Sequence, residues 1–122
     1  MPLSAFAAAE LLNWLRGVPP VVVPALWCQL HVEDPSPSCV LNVSATSSRR
    51  QVDLGDVSTG VGGNAEVLSW VAAADEVLSW VSLWSASSGG WPLCYGRFGA
   101  PMTVRSDEPI VISLNDLLVA LL

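Results

Sequence analysis

Lysine is absent from this 122-residue chain, and all five of its basic side chains are arginines. Charge of either sign is scarce, with 13% of residues charged, against about 25% in typical soluble domains. Neutralising phosphates needs clustered cations, yet only Arg49 and Arg50 adjoin, while Arg16, Arg97 and Arg105 are scattered under a formal net charge of −6. Nucleic acid is thereby set aside as a partner. The missing lysine, beside abundant Ala and Val, reads as a coding bias and carries no function. Disorder is also excluded, since 52% of the residues are hydrophobic and the mean hydropathy is +0.50.

Histidine and cysteine are nearly as sparse. One histidine and three cysteines, Cys28, Cys39 and Cys94, stand far apart with no Cys-x-x-Cys, which fits neither a zinc site nor a disulfide framework. Free buried thiols are expected instead. Asp53 and Asp56 offer too few oxygens for calcium, so no metal and no cofactor is expected. Long uninterrupted apolar runs are missing too. Pro19, Pro20 and Pro24 break the stretch from Gly17 to Gln29, and Asn115-Asp116 breaks the one from Pro109 to Leu122, so no membrane span is expected. Met1 to Phe6 has no basic side chain before Glu10 and does not read as a secretory signal.

What is present is a short helical pattern followed by strand patterns. Ser4 caps a predicted helix over about residues 5–16, with Phe6, Leu11, Trp14 and Leu15 at helical spacing and Gly17 as its stop. The proline-rich Val18 to Pro24 crosses extended to the next element. From Leu26 the period becomes two, with Leu26, Cys28, Leu30 and Val32 on one face and Trp27, Gln29 and His31 on the other, the pattern of a half-buried strand. Val40–Val43 and Arg50–Leu54 read as short strands, and Gly55–Asn64 as a glycine-rich loop. Glu66-Val-Leu-Ser-Trp-Val71 recurs as Glu76-Val-Leu-Ser-Trp-Val81, which predicts two neighbouring strands of similar composition, because two copies do not make an array. Trp91–Phe98 is a further strand after the Ser85–Gly90 turn. Ile110, Ile112 and Leu114, then Leu117, Val119 and Leu121, predict a final hairpin turning at Asn115-Asp116. Turn signals every eight to twelve residues or so predict a mainly β chain: an antiparallel β-sandwich or jelly-roll-like single domain over 1–122 with one N-terminal α-helix.

Catalytic signatures are weak. His31 stands mid-strand opposite the apolar stripe, where a surface or interface histidine is expected, and no Gly-x-Ser-x-Gly accompanies it. The acid pairs Glu33-Asp34, Asp75-Glu76 and Asp107-Glu108 all fall at turns. Gly60-Val-Gly-Gly63 lacks the lysine and the helix context of a phosphate loop. The surplus lies elsewhere. Six tryptophans in a chain this small exceed what its core comfortably hides, and tryptophan is enriched at protein interface hot spots. The candidate interface residues are Trp27, His31, Pro35, Pro37 and Trp91. A subunit that covers its apolar surplus by association, as a homo-oligomer, accounts for the composition.

The order of motifs also resembles a family of small tailed-bacteriophage virion proteins, labelled tail fibre or minor tail proteins and in some phages head-surface decoration proteins. The carrying residues are the Ala7-Ala-Ala-Glu-Leu-Leu helix, Leu26-Trp-Cys-Gln-Leu-His-Val-Glu-Asp-Pro35, Arg49-Arg-Gln51, and Val81-Ser-Leu-Trp-Ser-Ala-Ser-Ser-Gly-Gly90. Leu93-Cys-Tyr-Gly96, Ala100-Pro101 and Thr103-Val104 follow in the same order. The chain departs from the family at Pro35-Ser-Pro-Ser-Cys39, which replaces a glycine-rich stretch. The resemblance implies a non-enzymatic structural protein on the particle exterior, assembled in the host cytoplasm and bound to major capsid or tail proteins. A trimer would suit fibres and threefold capsid sites alike. The alternative is a glycan-binding module that stacks sugars on Trp27 or Trp91.

Overall fold

The computed structural model describes residues 1–120. In chain order the elements are α1 (Ala5–Leu15), β1 (Leu26–His31), β2 (Arg50–Val52), β3 (Val61–Gly63), β4 (Leu68–Val71), β5 (Glu76–Trp84), β6 (Pro92–Val104), β7 (Pro109–Ile112) and β8 (Leu118–Ala120). The helix starts where Ser4 Oγ accepts the Ala7 N–H at 3.0 Å, and it ends before Gly17, whose φ of +86° is a left-handed stop that a side chain resists.

The chain forms a mainly β fold of antiparallel sheets. One sheet runs β2-β1-β5-β6, and the strands facing it form two pairs, β3-β8 and β4-β7. Alternation decides what lies between them. Cys28 and Leu30 of β1, Val81 and Leu83 of β5, and Cys94 of β6 turn one face inward, where they join Leu68 and Trp70 of β4 and Ile110 and Ile112 of β7 in the core. Two hydrogen bonds clamp the layers across this core: Arg50 Nε to Ser69 O and Trp70 Nε1 to Ser48 O, both 2.8 Å. Residues 2–4 line the outer edge of β6, with Tyr95 N donating to Pro2 O and Ser4 N to Leu93 O, and so hang α1 on the sheet.

Several expectations are corrected. The Gly55–Asn64 segment is not wholly a loop, because it contains β3. Val40–Val43 makes only a single bridge, Val43 to His31, flanked by Val32 N donating to Asn42 O and Ser44 N to Leu30 O. The final hairpin does not form. β7 pairs with β4 and β8 with β3, and Leu121 of the expected last strand lies outside the described residues. The echoed hexapeptides are strands, as expected, but they sit in different sheets and do not pair with each other.

Nor do the two echoes face the same way. In the first copy Leu68 and Trp70 are both buried in the core. In the second Leu78 is buried, yet the next core residue is Val81, and Trp80 is left half-buried on the other face. The ladder slips between them: β5 advances from Leu78 to Trp80 while β6 runs from Met102 back to Arg97, so β6 bulges at Phe98–Pro101. A bulge of this kind re-aims side chains.

His31 is 0% exposed, not a surface residue. β1 is an inner strand, and the segment after it covers its second face: Gln29 Nε2 donates to Ser47 O, the Arg49 guanidinium lies 4.0 Å over the Trp84 ring, and Leu41 O meets His31 Nδ1 at 2.8 Å. A carbonyl only accepts, so Nδ1 carries the proton. Nε2 then accepts from Ser82 Oγ at 2.7 Å, and Ser82 Oγ accepts the Trp84 Nε1–H at 2.8 Å. The neutral ring satisfies every partner, and burial holds its pKa below the ordinary value, with the Arg49 charge acting the same way.

Asn64 does comparable work in the facing layer. Fully buried, its Nδ2 donates to Glu66 O (2.8 Å) and Ser113 O (2.9 Å), and its Oδ1 accepts from Leu117 N (3.0 Å). Its backbone accepts from Asn115 N and donates to Leu117 O. The segment between β7 and β8 is therefore wrapped around residue 64, which is why it does not close on itself as a hairpin. Gly63 sits so near Asn115 that a Cβ there would collide with that side chain.

Two outcomes follow from these buried groups. Asn64→Ala leaves the buried Leu117 N–H without its acceptor and removes the donors of the Glu66 and Ser113 carbonyls, and lowers unfolding stability in urea by about 1–3 kcal/mol. His31 takes up a proton in the unfolded chain near its ordinary value of about 6.5 but resists it when folded, so its contribution is complete above that pH and falls away on acidification, by at most about 1.4 kcal/mol per pH unit. Between about pH 7 and pH 5, above the carboxylate range, stability of His31→Gln measured in urea falls less than that of the parent chain.

Candidate interaction surface

The sequence of α1, Ala-Phe-Ala-Ala-Ala-Glu-Leu-Leu-Asn-Trp-Leu, is apolar on nearly every side, and a helix of that kind is ordinarily enclosed. Here none of its residues is buried. Phe6, Ala7, Glu10, Leu11 and Trp14 recur on one side and wall a groove of about 310 Å³. Its other wall is the extended strap through Pro20, Val21 and Val23, held down by the Val21 N–H donating to Glu10 Oε2 at 2.9 Å. Phe6 lies flat on Trp91, with centroids 5.3 Å apart and planes 5° from parallel, and this stack pins the start of the helix.

The opposite side of α1 faces solvent with Leu12 at 62% and Leu15 at 69% exposed, and Val22 on the strap at 83%. Enclosing a leucine side chain is worth about 1.5–3 kcal/mol, and for Leu12 and Leu15 more than half of that is not realised within this chain. Residues 11–23 thus form the longest run of exposed large apolar side chains, joined along the strap.

The five sequence candidates scatter. His31 and Pro35 are buried inside the chain and present no surface. Trp27 is half-buried, Pro37 is exposed, and Trp91 is exposed at 39%, but one of its faces is taken by Phe6. They do not form one patch. The surface that does lies at Leu12, Leu15 and Val22, outside those five, and the near all-round apolarity of α1 is its signal in the sequence.

Nothing at these positions resembles an assembled reaction centre. Ser82 and His31 have the spacing of a nucleophile and its base, but both are 0% exposed and the second ring nitrogen meets a carbonyl, not a carboxylate. The three thiols are free and buried, and burial pushes Cys28 and Cys39 up to about 12 and Cys94 up to about 11, where they are poor nucleophiles. No group of three or more His, Cys, Asp or Glu gathers as a metal site among the described residues, and no helix there is long and apolar enough to cross a membrane.

No curated protein matches the chain. The model of one protein family, described as Podophage GP4 fiber I protein gp80, matches residues 2–120, from the edge segment before α1 through β8. On a match of that extent the chain belongs to this phage fibre family.

Proposed function

We propose that the protein is a non-catalytic structural component of the virion exterior, a single domain over residues 1–122 that is fixed to a larger tail protein through α1 and the Pro20–Val23 strap. The observation that carries this reading is a helix apolar on nearly every side, with no buried residue, in a chain of a phage fibre family. A free protein gains nothing from such a surface, whereas a subunit of a particle loses it to water only until it docks. A fibre position is favoured over capsid decoration because the family is described by its fibre. The charge-poor composition suits further association between copies as a homo-oligomer on that larger protein.

The β-sheets do not depend on Leu12 or Leu15, so substituting both by Asp is expected to change stability by no more than about 0.5 kcal/mol per site. Particles grown without the native protein and supplied with the Leu12→Asp/Leu15→Asp chain should fail to incorporate it, as read by antibody-gold labelling in the electron microscope. Native protein should label the tail. Label spread over the heads, or normal incorporation of the double variant, would overturn the proposal.

A further inference from the structure

The strap between α1 and β1 is lightly fastened. Val18 N donates to Asn13 O at 2.9 Å where the helix ends, and over residues 19–25 the Val21 N–H on Glu10 Oε2, also 2.9 Å, is the only hydrogen bond among the described residues. Pro19, Pro20 and Pro24 have no N–H to offer. The irregular segment after β1 is held quite differently: Ser36 N donates to Asp34 Oδ1, Cys39 N to Ser36 O, Leu41 N to Pro35 O and Asn42 Nδ2 to Asp34 O, and both Pro35 and Cys39 are buried. No residue of the strap is buried.

The strap also has a pivot. A Cβ added at Gly17 would meet nothing within 4 Å, so this left-handed residue turns in free space, and the three prolines beyond it keep the chain extended. Once the bond to Glu10 is released, the strap therefore moves about Gly17 as a stiff arm.

What the arm fences off is half of one apolar arc. Leu11 stands one helical turn before Leu15, so the side that the strap walls, with Ala7, Leu11 and Trp14, runs without a break into the open side with Leu12 and Leu15. The strap obstructs this side without packing on it. About 310 Å³ stays open between the two walls, and Leu11 and Trp14 remain exposed, whereas a permanent partner would be close-packed against them.

We propose that the strap is an autoinhibitory latch, closed in the free protein by Glu10 and swung off α1 when the chain docks, so that the arc from Trp14 through Leu11 and Leu15 to Leu12 meets one partner. While closed, it keeps a second copy from seating on the whole arc before the particle takes it up. The latch rests on the anchoring reading for what the opened arc meets, and on the strap's own fastening for the opening.

The test is hydrogen exchange on the free whole chain, read residue by residue by NMR, together with sedimentation over a dilution series. The Val21 amide should exchange at least about a hundredfold faster than the buried Leu117 amide, through an opening that leaves the sheets intact. Glu10→Ala should speed Val21 exchange about tenfold further and strengthen self-association at least about threefold with the unfolding midpoint unchanged, while Glu10→Gln, which keeps an acceptor oxygen, should exchange and associate as the parent does. On particles, a Glu10→Cys/Val21→Cys chain closed by a short thiol-bridging reagent, which the three buried thiols escape, should fail to incorporate, and the same chain unbridged should incorporate. A Val21 amide as slow as that of Leu117, a Glu10→Ala chain that exchanges and associates like the parent, or a bridged chain that incorporates like the native one would overturn the latch. Failure of the anchoring reading shows separately, as normal incorporation of Leu12→Asp/Leu15→Asp, and leaves the exchange and sedimentation results to decide whether the strap opens.

Discussion

The carboxamide of Asn64 holds together a layer that strand pairing alone would leave in two pieces. β3-β8 and β4-β7 are separate two-stranded ribbons, and pairs of that size are marginal in isolation. Both connections, from β3 to β4 and from β7 to β8, pass residue 64, and one side chain binds backbone groups on each. The layer so joined supplies Leu68, Trp70, Ile110 and Ile112 to the core, and the large sheet closes on them. His31 with Ser82 and Trp84 plays the corresponding part on the outer face of the large sheet, where it secures the segment that crosses β1. Each layer therefore owes its shape to a neutral polar group whose hydrogen bonds are complete, in a chain with few charges to spare.

Much of this was legible in the sequence, and for reasons that can be named. Ser4 and Gly17 bracket α1 because capping and left-handed stops are local chemistry. The alternation of Cys28 and Leu30 marks the core face of β1, since a period of two survives whatever the strand pairs with. Pairing partners are another matter. Nothing local in Ile110–Leu121 says that its halves prefer β4 and β3 to each other, because the deciding contact is made by Asn64, some fifty residues earlier in the chain. His31 was misplaced for a related reason: parity assigns a side chain to a face, but whether that face is covered depends on where residues 33–49 travel. Trp80 is the sharpest instance, as Glu-Val-Leu-Ser-Trp-Val reads identically at both sites and the slip that separates them arises in β6.

The large sheet consequently has an inner face that builds the fold and an outer face divided between cover and opening, while α1 and its strap stand off one edge. The core and the exposed apolar surface thus lie in different places. The core includes none of the apolar side chains on α1, so the sheets are packed without drawing on the helix.

The cysteines bear on durability. A fibre protein of a particle released from its host meets dissolved oxygen with no reducing enzymes to repair it. Oxidation proceeds through the thiolate, and the burial of Cys28, Cys39 and Cys94 keeps all three as protonated thiols at any ordinary pH. Three sulfurs held this way are kept from cross-linking and from oxidation to sulfonic acids for as long as the fold stays closed, so their protection is a property of the packing around them.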